Sequence, residues 1–223
     1  MQIKKSLAIF DFCDTVFDGQ SINYFLNFLN FKLPIYKKIY SKLRNRLNRI
    51  SSSDSKRYKE YLLEVYKNIS KSKFDIYSKE FYEMIIKTRL HNMVIDKLKE
   101  HQKQGYIIVI ISGGFENYLK YFVEEYKIDF LFCTKLEFID DKFTSKIDGV
   151  ECLGLEKVNQ LRKLDLTKYD LENSYVYSDH HSDKPLFDLV TNKIVVKSKQ
   201  NLDWIDERYD ILDVNKKVKI CVE

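Results

Sequence analysis

The chain has 223 residues, 44% hydrophobic and 14% aromatic, with two prolines and six glycines; it can bury a core and is neither disordered nor fibrous. A net charge of +5 suits anionic small molecules and is too weak a signature for nucleic acid. Four scattered cysteines (Cys13, Cys133, Cys152, Cys221) show no C-x-x-C spacing, which argues against a zinc site or disulfide scaffold and for a reduced, cytoplasmic, soluble protein. The opening MQIKKSLAIF lacks the apolar core and cleavage site of a signal peptide, and no apolar run is long enough to span a bilayer.

In chain order, Leu7–Phe12 is the first strand-like run. From about Ser21 to about Lys103 the pattern is amphipathic and helical, as in YFLNFLNF, YKEYLLEVYKNI and KEFYEMIIKTRL, with no convincing strand. Within it, Ser51-Ser52-Ser53-Asp54 reads as a helix start, the serines or Asp54 serving as N-cap. Strand pattern resumes at Tyr106–Ile111, followed by a helix over Asn117–Tyr126 and a strand over Phe130–Thr134. Leu136–Ile139 and Lys142–Ile147 flank Asp140-Asp141 as a β-hairpin. A helix over Glu156–Leu164 and strands over Ser174–Tyr177 and Lys193–Val196 complete the pattern. The strands are apolar on nearly every residue, as parallel strands covered on both faces require. The expected fold class is therefore α/β, a doubly wound parallel sheet with an all-helical insert after the first strand.

Open α/β sheets bind ligands at the carboxyl ends of their strands. Four groups of residues fall there: Asp11, then Ser112-Gly113-Gly114, then Gly154-Leu155-Glu156-Lys157 at a helix start, then Asp179-His180-His181-Ser182-Asp183. Carboxylates for a hard cation, a hydroxyl and glycine amides for an anion, and a lysine together suit phosphoryl transfer. Taken singly, each has a plainer reading: a turn or capping aspartate, a glycine turn, a solvated lysine, loop acids. The pair His180-His181 invites a transition metal but reads better as loop side chains at the rim of the site.

Four motifs in order, FDFCDT, VIISGGF, the lysine of GLEKVNQL, and YSDHHSDKPL, resemble the haloacid dehalogenase (HAD) superfamily of aspartate-nucleophile phosphatases. The similarity is to subfamily IB, the phosphoserine-phosphatase-like group with a type I helical cap, and covers residues 1–17 and roughly 104–200. It implies a Rossmann-like core of residues 1–17 and 104–223 with a cap domain of residues 18–103. It implies further that Asp11 is the nucleophile and forms an aspartyl-phosphate, and that Mg²⁺ is held by Asp11, Asp179 and the backbone carbonyl of Cys13. Asp183 would support the metal from behind, Ser112 and the Gly113 amide would bind phosphate oxygens, and Lys157 would neutralise charge.

The match breaks at Cys13, where the family usually carries the aspartate that protonates the leaving alcohol and then activates water. A thiol of pKa near ~8.5, raised further among carboxylates, is a poor replacement. Asp14 is the candidate to take over, with a turn-forming aspartate as its alternative reading. Phosphoserine phosphatases carry a glutamate nine residues after the nucleophile; here Gln20 stands there, with Asp18 nearby, which argues against L-phosphoserine and for a sugar-like or hydroxylated phosphate. The basic run KKIYSKLRNRLNR reads as a solvated cap face, with a membrane-surface helix as the alternative, and Arg44, Arg46, Arg49 and Arg57 could instead read a second anionic group. The resemblance implies a Mg²⁺-dependent phosphomonoesterase for a small soluble phosphate ester (a sugar, polyol or amino-alcohol phosphate), with cell-surface polysaccharide synthesis as a candidate setting. A lipid-phosphate phosphatase and a non-catalytic binder of phosphorylated ligands are the alternatives.

Overall fold

The computed structural model describes residues 4–35, 37, 54–198 and 200–215. Seven strands form one sheet: β1 (Lys5–Phe10), β2 (Ile107–Phe115), β3 (Phe130–Ile139), β4 (Lys142–Asp148), β5 (Tyr169–Ser178), β6 (Asn192–Lys197) and β7 (Asp210–Asp213). Their order is β4-β3-β2-β1-β5-β6-β7, and all neighbours run parallel except β3 and β4. The chain progresses to one side of β1 through β2 and β3 and to the other through β5 and β6. The carboxyl ends of β1 and β5 thus meet at the switch point, where such sheets open a crevice.

Strand alternation explains the two-sided core. Leu7 and Ile9 join Val109, Ile111, Val176 and Val195 on one face, while Ala8 and Phe10 join Ile108, Ile110, Tyr177 and Val196 on the other. Helices α6 (Leu155–Leu161) and α7 (Lys184–Phe187) cover the first face through Val158, Leu161, Leu186 and Phe187. Helices α4 (Asn92–Lys103) and α5 (Glu116–Tyr126) cover the second through Val94, Leu98, Leu119 and Phe122. Near-continuous apolar strands are what burial on both faces demands.

Between β1 and β2 the described elements are helical: α1 (Ser21–Lys32), α2 (Ser55–Leu63), α3 (Lys71–Phe81), short 3-10 and π turns, and α4. Asp54 is the N-cap of α2, its carboxylate accepting the Arg57 N–H at 3.0 Å, as the capping pattern anticipates. Most of the basic run, including Arg44, Arg46 and Arg49, lies outside the described residues, as do Ser51-Ser52-Ser53 and Cys221. The α1 face of Phe25, Leu26, Phe28 and Leu29 is buried. Phe25 packs on Phe81 and Tyr118 with ring centroids 5.0 Å apart in each case, and Phe74 lies 5.1 Å from Phe143, so these helices and the sheet share one hydrophobic cluster.

Polar contacts fix α2 against the β3–β4 hairpin. Glu60 accepts the Ile147 N–H at 3.1 Å and pairs with Lys146 at 2.9 Å, while Lys59 pairs with Glu151 at 2.5 Å. At the hairpin tip Asp140 and Asp141 have φ of 49° and 60°, the left-handed pair of a primed turn, which short-chain aspartate tolerates. Beyond shifts at the ends of several elements, the structure departs from the periodic reading at three strands. β1 stops at Phe10, so Phe12 falls in the following turn; β3 runs unbroken from Phe130 to Ile139, serving both β2 and β4; and β7, a half-exposed edge strand, had no apolar run to mark it.

Candidate active site

The residues after β1 form a tight turn in which the N–H groups of Val16 and Phe17 both reach the Phe12 carbonyl, at 3.0 and 2.8 Å. Just before it, the Asp11 N–H still bonds the Tyr177 carbonyl of β5 at 2.9 Å, so its carboxylate is held rigidly at the switch point. Lys157 in the first turn of α6 reaches across, its Nζ 2.7 Å from Asp11 Oδ1 and 2.6 Å from Asp183 Oδ2. Gly154 starts that helix with φ of 53° and ψ of −125°, a backbone conformation that glycine adopts without a Cβ clash. Asp183 also accepts from Ser178 Oγ at 2.5 Å, and Thr15 Oγ1 lies 3.4 Å from Asp11 Oδ2 and 3.2 Å from Asp179 Oδ1. Asp11, Lys157, Asp179 and Asp183 are all buried.

Their charges do not balance. Two buried carboxylates, of Asp11 and Asp183, pair with the ammonium of Lys157, and a third, of Asp179, is joined to Asp11 through Thr15. Burial, then repulsion from Asp11, Asp14 and Asp183, pushes the Asp179 carboxyl up to about 8. Burial raises Asp11 only to about 6, because Lys157 opposes it. Burial lowers the Lys157 pKa, but the adjoining Asp11 and Asp183 carboxylates outweigh it and hold the ammonium protonated. A cluster short of positive charge and built of oxygen donors fits a hard divalent cation. Asp183 Oδ1 is buried without a partner among the described residues, an acceptor that a metal-bound water would satisfy. Among the described residues no three His, Cys, Asp or Glu side chains converge as a ready ligand set, so such an ion would draw on Asp11, Asp179, a backbone carbonyl such as that of Cys13, and water.

Ser112 and Gly113 lie within β2, one strand away. The Ser112 hydroxyl is buried and accepts the Gly114 N–H at 3.0 Å; Gly113 lines the cavity itself, and Ser112 does not. A Cβ on Gly114 would fall 2.8 Å from Tyr118 Oη and 3.2 Å from both Ser112 Oγ and Ser21 Oγ, so only glycine fits there. The cavity, about 580 Å³, is bounded by Asp11, Cys13, Lys157, Asp179 and Asp183 at its floor. Gln20, Asn23, Tyr58 and Lys59 line it from α1, α2 and the segment before α1.

Cys13 lines the cavity with its thiol 3.1 Å from Ser21 Oγ, which in turn lies 2.8 Å from Tyr118 Oη. Burial, then the Asp11 carboxylate, pushes the thiol up to about 11, so it stays protonated at neutral pH and cannot serve as a base. Asp14 has φ of 54°, and its Oδ2 accepts from Gln20 Nε2 at 2.6 Å; it is not itself among the residues that line the cavity. Asp18, considered above as a specificity residue, lies away from the cavity lining. Its carboxylate and carbonyl are both bonded by Arg89, at 2.9 and 3.1 Å, and its N–H donates to the Arg89 carbonyl at 2.8 Å. It ties the end of the β1 turn to the segment before α4. His180 does line the cavity, but its Nδ1 accepts the Ser182 N–H at 3.2 Å, capping the short turn 181–183. Three contributors were not legible as site residues: Thr15, Ser178 and the cavity-lining face of α2. Thr15 stands in the quoted FDFCDT motif, but nothing local marks a hydroxyl shared by two aspartates.

A family model for haloacid dehalogenase-like hydrolases matches residues 8–188. A phosphoserine phosphatase of Methanocaldococcus jannaschii is 22% identical over 224 residues, spanning 98% of this chain and 100% of that protein. Among solved structures, a protein of unknown function from Bordetella pertussis Tohama I superposes with a TM-score of 0.78 at 20% identity, over 95% of this chain and 100% of the other. A phosphoserine phosphatase carrying a phospho-aspartyl intermediate analogue superposes with a TM-score of 0.62 at 20% identity, over 94% and 93% of the two chains. At these identities the structural likenesses establish the fold.

Proposed function

The chain belongs to the haloacid dehalogenase-like hydrolase family, and from that premise we propose that it is a Mg²⁺-dependent phosphomonoesterase working through an aspartyl-phosphate on Asp11. The observation that carries the reading is the bridge from Lys157 to both Asp11 and Asp183, with Asp179 joined to Asp11 through Thr15, at the floor of an open cavity. No structural role requires three buried carboxylates to share one buried ammonium at a switch point.

In the proposed first step an Asp11 oxygen attacks phosphorus, the bond to the leaving oxygen breaks, and that oxygen takes a proton. In the second, water attacks the same phosphorus, restoring the Asp11 carboxylate and releasing phosphate. The bound Mg²⁺ would supply charge neutralisation for the phosphoryl oxygens. Lys157 keeps Asp11 oriented and ionised, and the Gly113 N–H, at the rim of the cavity, is available to a phosphate oxygen. The Cys13 thiol, which stays protonated, cannot take the proton of the attacking water, and we assign both that proton and the one given to the leaving oxygen to Asp14, held by Gln20.

The domain reading, a cap of residues 18–103 over a core of 1–17 and 104–223, is supported by the helices between β1 and β2 whose α2 lines the cavity. The substrate is a phosphate ester of a small alcohol, as the cavity's size favours. Among the described residues no helix is long and apolar enough to cross a membrane. Release of inorganic phosphate from an ester panel with Mg²⁺ tests the proposal, with Asp11→Asn as the control; release no greater than that control would defeat it.

A further inference from the structure

We propose that the alcohol released from the substrate is uncharged and partly apolar, an inference that rests on the phosphomonoesterase reading. The cavity lining has two chemically different parts. Its floor holds the Asp11–Lys157–Asp183 cluster with Asp179. Ile22, Tyr58 and Leu62, from the helices inserted between β1 and β2, add apolar surface to the lining, and Leu153 lies against Gly113. Tyr58 and Leu153 are large side chains left 39% and 40% exposed. Apolar surface kept wet inside a concave site is where a ligand's hydrocarbon gains most from burial.

Charge excludes the other classes of alcohol. Among the described lining residues, the carboxylates all belong to the floor, so an ammonium on the leaving group finds no partner beyond it. It would meet Lys59 instead. That lysine pairs with Glu151 at 2.5 Å, with side chains only 16% and 11% exposed. A carboxylate on the leaving group would have to take Lys59 from Glu151 and strand a nearly buried acid. The other polar lining groups include the amides of Gln20 and Asn23, the hydroxyls of Ser55 and Ser182 and the imidazole of His180, donors and acceptors suited to the hydroxyl or ether oxygens of an uncharged alcohol. With one Nε2 hydrogen of Gln20 given to Asp14, its carbonyl oxygen remains an acceptor for a substrate hydroxyl.

The test is kcat/KM for the Mg²⁺-loaded protein on methyl, butyl and benzyl phosphate, against phosphoethanolamine, L-phosphoserine and phospholactate, with phosphatidic acid vesicles as a separate arm. Butyl and benzyl phosphate should lead; each methylene buried adds about fourfold, and the charged esters should trail benzyl phosphate by about tenfold or more. Leu62→Asn should pull the butyl-to-methyl ratio toward one. Asn23→Asp, which places a carboxylate beyond the floor, should raise phosphoethanolamine relative to benzyl phosphate by up to about fivefold. Preference for vesicles over benzyl phosphate would keep an apolar alcohol and assign it to a lipid. Equal or better use of any charged ester by the unmodified protein would overturn the inference. If every ester fails at the level of Asp11→Asn, the phosphatase reading falls instead. Calorimetry with benzylphosphonate against aminoethylphosphonate then still decides the question, and tighter aminoethylphosphonate binding would overturn the inference.

Discussion

Protonating one buried histidine should cost this fold a measurable part of its stability. His101, on α4, is buried among Phe10, Tyr106, Tyr175 and Tyr177, with ring centroids 4.6 Å from Tyr106 and 4.7 Å from Tyr175. Its Nε2 lies 2.8 Å from Tyr177 Oη, and its Nδ1 is buried with no partner among the described residues. Burial lowers its pKa from 6.5 to about 4, with Glu100 opposing and Lys97 assisting. The folded value lies below the unfolded one, so the stabilisation is complete above pH 6.5 and is lost as pH falls toward 4. The whole linkage is worth about 3 kcal/mol, of which about 2 fall between pH 7 and pH 5.

Urea unfolding at the two pH values, on the unmodified protein and on His101→Gln, isolates this contribution. Glutamine can still bond Tyr177 but does not titrate. The raised carboxyls of Asp11 and Asp179 have the opposite sign, since a folded value above the unfolded one adds stability as pH falls. They are common to both proteins and cancel in the difference. The unmodified protein should lose about 2 kcal/mol more than the variant on going from pH 7 to pH 5. Equal losses, or an imidazole that titrates above pH 6 by NMR, would refute the reasoning.

Three further outcomes are expected. Asp14→Asn should lower kcat by about 10²- to 10⁴-fold, the usual worth of general acid–base help; Cys13→Ala should cost far less, and the reverse order in steady-state assays would remove Asp14 from the mechanism. Mg²⁺ binding near pH 7 should release protons, because Asp179 sits at about 8 without a cation; titration calorimetry in buffers of different ionisation enthalpy reads the number, and none released would contradict the site. Phe74→Ala should destabilise the protein by about 3–5 kcal/mol in denaturant melts, since this ring joins Phe25 of α1 to Phe138 and Phe143 of the hairpin. The helices and the sheet should still unfold in one transition, because that cluster is common to both.

The sheet was legible wherever burial on both faces made the strand apolar along its length. β2, β5 and β6 were each found at their apolar centres; the half-exposed start of β5 at Tyr169 and Asp170 carries no such pattern, and the buried end of β2 was hidden by Ser112-Gly113-Gly114, which reads as a turn. The hairpin was legible from its turn chemistry, two aspartates able to take positive φ. The Arg89 bond to Asp18 was not legible, because proximity in sequence to Gln20 says nothing of an arginine 71 residues away.

What the sequence determined by itself was local: strand and helix periods, capping at Asp54, glycines where the backbone must bend or admit a neighbour, and the order of four motifs at strand ends. Tertiary structure alone decided what those motifs do to one another. Lys157 meets Asp11 from 146 residues away and Asp183 from 26, and only their shared burial makes the cluster short of positive charge. Tyr58 and Leu62 likewise reach the cavity because α2 docks on β4 through Glu60 and on the segment after it through Lys59. Periodicity reports which face of an element is buried; it carries no information about which distant charge or side chain will share that burial, and the chemistry depends on that pairing.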